Sequence, residues 1–129
     1  MNLPATCLAE EVAQPPIPMY VGYILSPDEI TELTEKANAG DSKASVRLYF
    51  YYELVVQTDY ANTTRWLVQA AEQGDVSAQY NLGLTYWADD CYKNIELAKY
   101  WFGLAADKGH LRAKERLREI ELSESRSKQ

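Results

Sequence analysis

The chain has 129 residues, 47% of them hydrophobic and 25% charged, a balance that gives one soluble domain enough apolar material for its own core. With 19 acidic against 13 basic residues the net charge is -6, which excludes nucleic acid as the default partner because no basic stripe is available to meet phosphate. No apolar run approaches the roughly eighteen residues that a transmembrane helix needs, so membrane insertion is not expected.

Residues 1–25 read as an N-terminal arm. Pro15, Pro16 and Pro18 favour an extended, polyproline-like path and forbid an interior helix. Met19 to Leu25 is apolar and aromatic, and is expected to pack on the first helix. The opening MNLPATCLAEEVAQ has neither the positive stretch nor the long apolar run of a secretory signal, so the chain reads as cytoplasmic as written. Cys7-Leu8-Ala9 as the small-residue end of a removed signal would make it periplasmic instead. Cys7 and Cys91 are the only cysteines. Paired, they would tether the arm to an inter-helix loop and imply an oxidising compartment; otherwise they are two unrelated thiols.

A helical-repeat domain is expected over residues 26–122. Ser26-Pro27-Asp28-Glu29 opens it with an N-cap serine, a first-turn proline and a capping-box glutamate, and the helix runs to about Ala39 with Gly40 as its stop. Asp41 caps a second helix to about Val55, with Ala44, Leu48, Tyr51 and Tyr52 at helical spacing. A third follows from Tyr60 to Gln73, started by Asp59 and closed by Gly74. Asp75 starts a fourth along Ala78, Leu82, Gly83 and Tyr86. Asn94 caps the fifth, through Ala98, Trp101, Phe102 and Ala105, and Gly109 ends it. The sixth spans about Leu111 to Leu122 and is charged enough to serve as a terminal cap, before a polar tail over residues 123–129.

These elements repeat. Gly40, Asp41, Ala44, Leu48 and Tyr52 recur 34 residues later as Gly74, Asp75, Ala78, Leu82 and Tyr86; Trp66, Ala70 and Ala71 recur 35 residues later as Trp101, Ala105 and Ala106. Periods of this length belong to stacked supersecondary units, none of which buries its apolar face alone. The expected fold is therefore all-α: a short right-handed α-solenoid of antiparallel helix pairs with capping helices.

Gly74-Asp75, Ala78, Leu82-Gly83 and Tyr86, followed by Ala98, Trp101, Ala105, Ala106 and Gly109, resemble the Sel-one-like repeat family, helical-repeat relatives of the tetratricopeptide repeats. The preceding unit keeps the pattern except that Tyr49 stands where the Leu-Gly glycine belongs. The usual glycine-containing loop before the second helix is replaced by QTDYAN and DDCYKN. The resemblance covers about residues 27–122 and implies a tetratricopeptide-like stack and protein–protein scaffolding.

Catalysis finds little in this composition. His110 is the only histidine and stands at a helix start, which suits a cap better than a general base. A zinc cluster has too few ligands, phosphate-cradling glycine loops are missing, and no cofactor is implied. Asp89 and Asp90 read as solvated loop carboxylates. In tetratricopeptide-like stacking the first helix of each pair lines the inner surface. The partner-binding positions become Val46, Phe50 and Glu53 in one repeat, Tyr80, Leu84 and Trp87 in the next, and Glu115 and Glu119 in the last helix. Aromatic groups at the centre with acids at the edge suit a protein interface. If the arm lies over these rings, the exposed loops around Asp59 and Asp90 become the alternative surface.

The leading expectation is a non-enzymatic protein-binding module. Small size, acidity and a self-contained array extend it to a bacterial immunity or antitoxin-like protein that binds and neutralises a basic secreted toxin or effector, by resemblance to small proteins of this family in secretion loci. The alternatives are an adaptor or regulatory scaffold in an envelope or signalling pathway, and a small cell-wall-related enzyme or ligand-binding protein.

Overall fold

Helix ends and corners are built by local chemistry repeated three times. A computed structural model describes residues 21–128, which contain a short 3-10 turn at Val21–Tyr23 and helices α1 (Pro27–Asn38), α2 (Ser42–Phe50), α3 (Tyr60–Glu72), α4 (Val76–Ala88), α5 (Ile95–Asp107) and α6 (Leu111–Ser127). No strand occurs among the described residues. After α1, Gly40 N–H donates to the Ala37 carbonyl and Asp41 N–H to that of Lys36. The same pair of bonds follows α3 at Gly74 and Asp75, and α5 at Gly109 and His110. Each of these glycines has positive φ (105°, 94° and 91°), the left-handed conformation that lets the chain turn back while the last helical carbonyls are satisfied.

The chain divides into two compact units, residues 1–75 and 76–129. In the first, the expected capping box is present: Glu29 N–H donates to Ser26 Oγ, and Ser26 N–H donates to Glu29 Oε2. Those hydrogen bonds hold the exposed Glu29 carboxyl below its ordinary pKa. Asp41 and Asp59 accept from the first turns of α2 and α3. Helix α2 packs on α1 and on α3. Buried Ala37, Ala44, Leu48, Trp66, Leu67, Ala70 and Ala71 form the interior.

One polar bridge ties the three helices of this unit. Gln73 Nε2 donates to the Ala37 carbonyl at the end of α1 (2.7 Å), while its Oε1 accepts from the buried Ser45 hydroxyl of α2 (2.6 Å). Gln69 Nε2 adds a second bond to the Ala37 carbonyl at 3.0 Å.

The second helix of the sequence reading ends earlier as an α-helix. After Phe50 the chain continues as a π-helical segment, Tyr51–Val56. It stops at Gln57, whose backbone is left-handed (φ 59°), whose N–H donates to the Tyr52 carbonyl and whose Nε2 donates to that of Leu54. A π-helical stretch widens the turn, so Tyr51 and Tyr52 face differently from an ideal helix.

In the second unit α5 packs against both α4 and α6. Phe102, fully buried, occupies the space opened by Gly83; a Cβ on that glycine would lie 2.6 Å from Phe102 Cδ1. Trp101, expected as a gap-filling residue, is only half-buried. In the first unit the matching positions hold Tyr49 and Leu67, both buried, so bulk has moved from the second helix of the pair to the first. Asn94 caps α5, and His110 Nδ1 accepts from Ala113 N–H to start α6.

Helix α6 is longer than expected and continues through residues 123–127, which the sequence reading assigned to a polar tail. Lys99 of α5 reaches Glu124 at 3.0 Å, and Ser127 Oγ donates to the Glu124 carbonyl. Those contacts extend the helix past its last buried residue, Ile120. Most of the arm, including Cys7 and Pro15 to Pro18, lies outside the described residues.

Candidate functional site

The expected partner-binding residues fall into two sets, one in each unit. In the first, Val46 and Phe50 lie half-buried along α2, and Glu53 is exposed on the π-helical segment. Phe50 sits between two other rings: Tyr49 at 5.0 Å and Tyr23 at 5.4 Å between centroids. Tyr23 comes from the apolar stretch before α1, while Leu25 of the same stretch is buried. The sequence reading expects this stretch on the first helix; the ring contact is instead with Phe50 of α2, which loses part of its open face to Tyr23, while Val21 and Ile24 are exposed.

Tyr49 and Glu53 both feel the partial burial of this region. Burial, and then the Glu53 charge, push the Tyr49 hydroxyl up to about 12. Desolvation raises the Glu53 carboxyl above its ordinary value, even though the residue as a whole reaches the surface. A carboxylate that has lost part of its water is more costly to keep charged unless a partner supplies a compensating donor.

In the second unit, Tyr80, Leu84 and Trp87 of α4 pack against the core formed by Ala98, Phe102, Ala105, Ala106, Ala113 and Ile120. Their outer sides join residues of α6 in a continuous ladder. His110 stacks on Tyr80 with 4.4 Å between ring centres, and the Arg116 guanidinium lies 4.9 Å above the Trp87 ring. Arg116 also holds Glu119 at 2.7 Å. The Glu119 carboxylate first, and then Tyr80, raise the Arg116 pKa above its ordinary value. Glu115 is exposed on the same helix.

The structure thus brings together Tyr80, Trp87 and Glu119 and adds two groups that the sequence reading does not put in the site. His110 was read as a helix start, and it is one; its ring is also a stacking platform. Arg116 had no signal of its own, because its aromatic partner lies on a different helix. The i, i+3 spacing of Arg116 and Glu119 is the one local clue to that pair.

Beside the ladder is a cavity of about 230 Å³, lined by Trp87, Ile95 and Ile120 together with Glu119 and Glu124. Among the described residues, no cluster of three His, Cys, Asp or Glu residues is placed to hold a metal ion. No helix of the described residues is long and apolar enough to cross a membrane. Cys91, in the loop between α4 and α5, is disulfide-bonded.

Paired helices with glycine corners, small residues at the close approaches and an aromatic–charged outer face define a helical-repeat protein of the protein-binding kind. The Sel1 repeat is matched at residues 44–75 and 76–110, more than half of the chain, and the chain belongs to the Sel1 repeat family. The boundary between the two matched repeats coincides with the division between the compact units. The chain is 37% identical over 103 residues to the uncharacterized protein YibG of Escherichia coli K12, an alignment covering 76% of this chain and 66% of that protein. It therefore spans just under two thirds of that relative's length. No solved structure matches the chain with significance. Sel1 repeats form helical solenoids and serve generally as non-catalytic protein-interaction modules.

Proposed function

We propose that this protein works by binding another protein stoichiometrically, without chemistry of its own, as an immunity or antitoxin-like factor that neutralises a basic toxic effector. The observation that carries the binding reading is the α4–α6 ladder of the second unit. There Tyr80, Trp87, Arg116 and Glu119 present aromatic area and fixed charge on rigid helices, the composition that dominates interface energetics. A net charge of -6 favours encounter with a cationic partner. The disulfide at Cys91 supports residence in an oxidising compartment, where a secreted effector would be met.

The test has two arms. Co-expression with the product of an adjacent toxin-like gene should protect cells, and the purified pair should form a complex of fixed stoichiometry. In that complex Tyr80→Ala and Trp87→Ala should each weaken affinity by about 2 kcal/mol, roughly thirtyfold, while circular dichroism remains unchanged. A folded double variant with full affinity would remove the α4–α6 face as the site, and failure of protection would sink the immunity reading.

A further inference from the structure

We infer that the cavity between the end of α4, the start of α5 and the second half of α6 receives a lysine or arginine side chain of the bound protein. The inference rests on the protein-binding reading and names the chemistry of the group that enters. The apolar lining comes from Trp87, Ile95 and Ile120, which lie on three different helices and match the carbon stem of such a residue. The two charged residues lining the cavity, Glu119 and Glu124, are both acids.

Their geometry is set before any partner arrives. Arg116 holds Glu119 through Oε2 at 2.7 Å, and Lys99 holds both oxygens of Glu124 at 3.2 and 3.0 Å. Neither cation lines the cavity, so the positive groups steady the carboxylates from outside while the acids border the space itself. Carboxylates fixed in this way lose little further freedom on binding. Glu119 Oε1 is left open to a second donor, and Ser123 and Ser127 line the same cavity. A neutral apolar group would meet the same stem contacts but would cover Glu119 Oε1 without giving it a donor. An acidic group would meet repulsion. Arg126 lies in the neighbouring depression with Glu119 and Leu122, which makes it a useful control.

The experiment is a titration of the ¹⁵N-labelled full chain with the blocked tripeptide Ac-Leu-Lys-Leu-NH2 and with counterparts carrying norleucine or glutamate in place of lysine. The lysine peptide is expected to shift the Trp87 indole N–H and the amides of Ile120 and Glu124. It should bind about fivefold more tightly than the norleucine peptide, the ratio expected of two partly exposed charge pairs. Glu119→Gln with Glu124→Gln should erase that preference. Lys99→Gln, which removes the bridge and keeps the carboxylate, and Arg126→Gln should preserve it. Equal binding of lysine and norleucine peptides, or shifts confined to other residues, would overturn the assignment. So would sedimentation showing a dimer that protects the Trp87 indole, since a second copy would then fill the space. If the protein partner were captured with full affinity by the Glu119→Gln, Glu124→Gln chain but lost by Trp87→Ala, the cavity assignment would fall and the binding module would stand.

Discussion

Gly83 and Phe102 show how a single missing methyl shapes the second unit. Phe102 is fully buried against Gly83, and a Cβ added there would approach to 2.6 Å, which leaves that ring nowhere to move. Gly83→Ala should therefore lower stability by about 1–3 kcal/mol despite the better helix propensity of alanine. Phe102→Leu in the same chain should recover part of the loss, since the first unit already combines a large residue at Tyr49 with leucine at Leu67. A double-mutant cycle from urea denaturation measures that coupling, and strict additivity would contradict the packing argument. Gln73 offers a polar counterpart. Gln73→Ala strips a partner from both the Ala37 carbonyl and the buried Ser45 hydroxyl, and should cost about 1–3 kcal/mol. Gln69→Ala should cost less, because Gln73 still serves the Ala37 carbonyl. Tyr49 carries a pH signature. Above pH 10 the unfolded chain releases the Tyr49 proton, while the folded chain keeps it until about pH 12, so stability falls as pH rises through that window. The loss amounts to about 2–3 kcal/mol, and Tyr49→Phe should flatten that part of the stability-versus-pH curve.

At the scale of elements, caps and corners explain the helix boundaries, and α6 tests them. His110 occupies the position held by Asp41 and Asp75 in the earlier repeats, and its ring nitrogen performs the capping role. His110→Asp should preserve the helix start, because aspartate is a strong N-cap, while removing the ring that stacks on Tyr80. His110→Ala should lower stability by about 1 kcal/mol more than His110→Asp, as read from thermal or urea unfolding. The extension of α6 past Ile120 carries the Lys99–Glu124 bridge, a solvent-screened pair whose side chains are 32% and 37% exposed. Lys99→Gln should speed hydrogen exchange over residues 123–127 and leave the amides around Ala113 protected. Protection unchanged along the whole of α6 would mean that the bridge does not hold its end.

For the whole molecule, charge and covalent linkage matter more than any one contact. With a net charge of -6, association with a cationic partner should slow several-fold as ionic strength rises from low to physiological values, since exposed charges are screened beyond about 8 Å there. Stopped-flow mixing at two salt concentrations reads this directly. Cys91 should resist alkylation until a reductant is added, because it is disulfide-bonded. Reduction should lower stability by about 2–4 kcal/mol if the bond closes a loop within one chain. A thiol titration finding Cys91 free in protein from its native compartment would remove the argument for an oxidising location.

Read alone, the sequence determines the helical class, the repeat period, the glycine corners and the caps that start α1, α2, α3 and α5. All of these depend on residues a few positions apart, whose chemistry is visible in order along the chain. It also singles out Tyr80, Trp87 and Glu119, because the repeat register and the resemblance to tetratricopeptide-like stacking assign them to the inner surface. Tertiary structure decided which of those groups meet. Gln73 reaches Ser45 across 28 residues and Ala37 across 36, and Arg116 finds Trp87 on a different helix. It also put Tyr23 against Phe50, turned the end of the second helix into a π-helical segment and carried α6 to Ser127. Local propensity specifies an element and its faces, but the partner of a side chain depends on where the packed helices come to lie, and that no local pattern records.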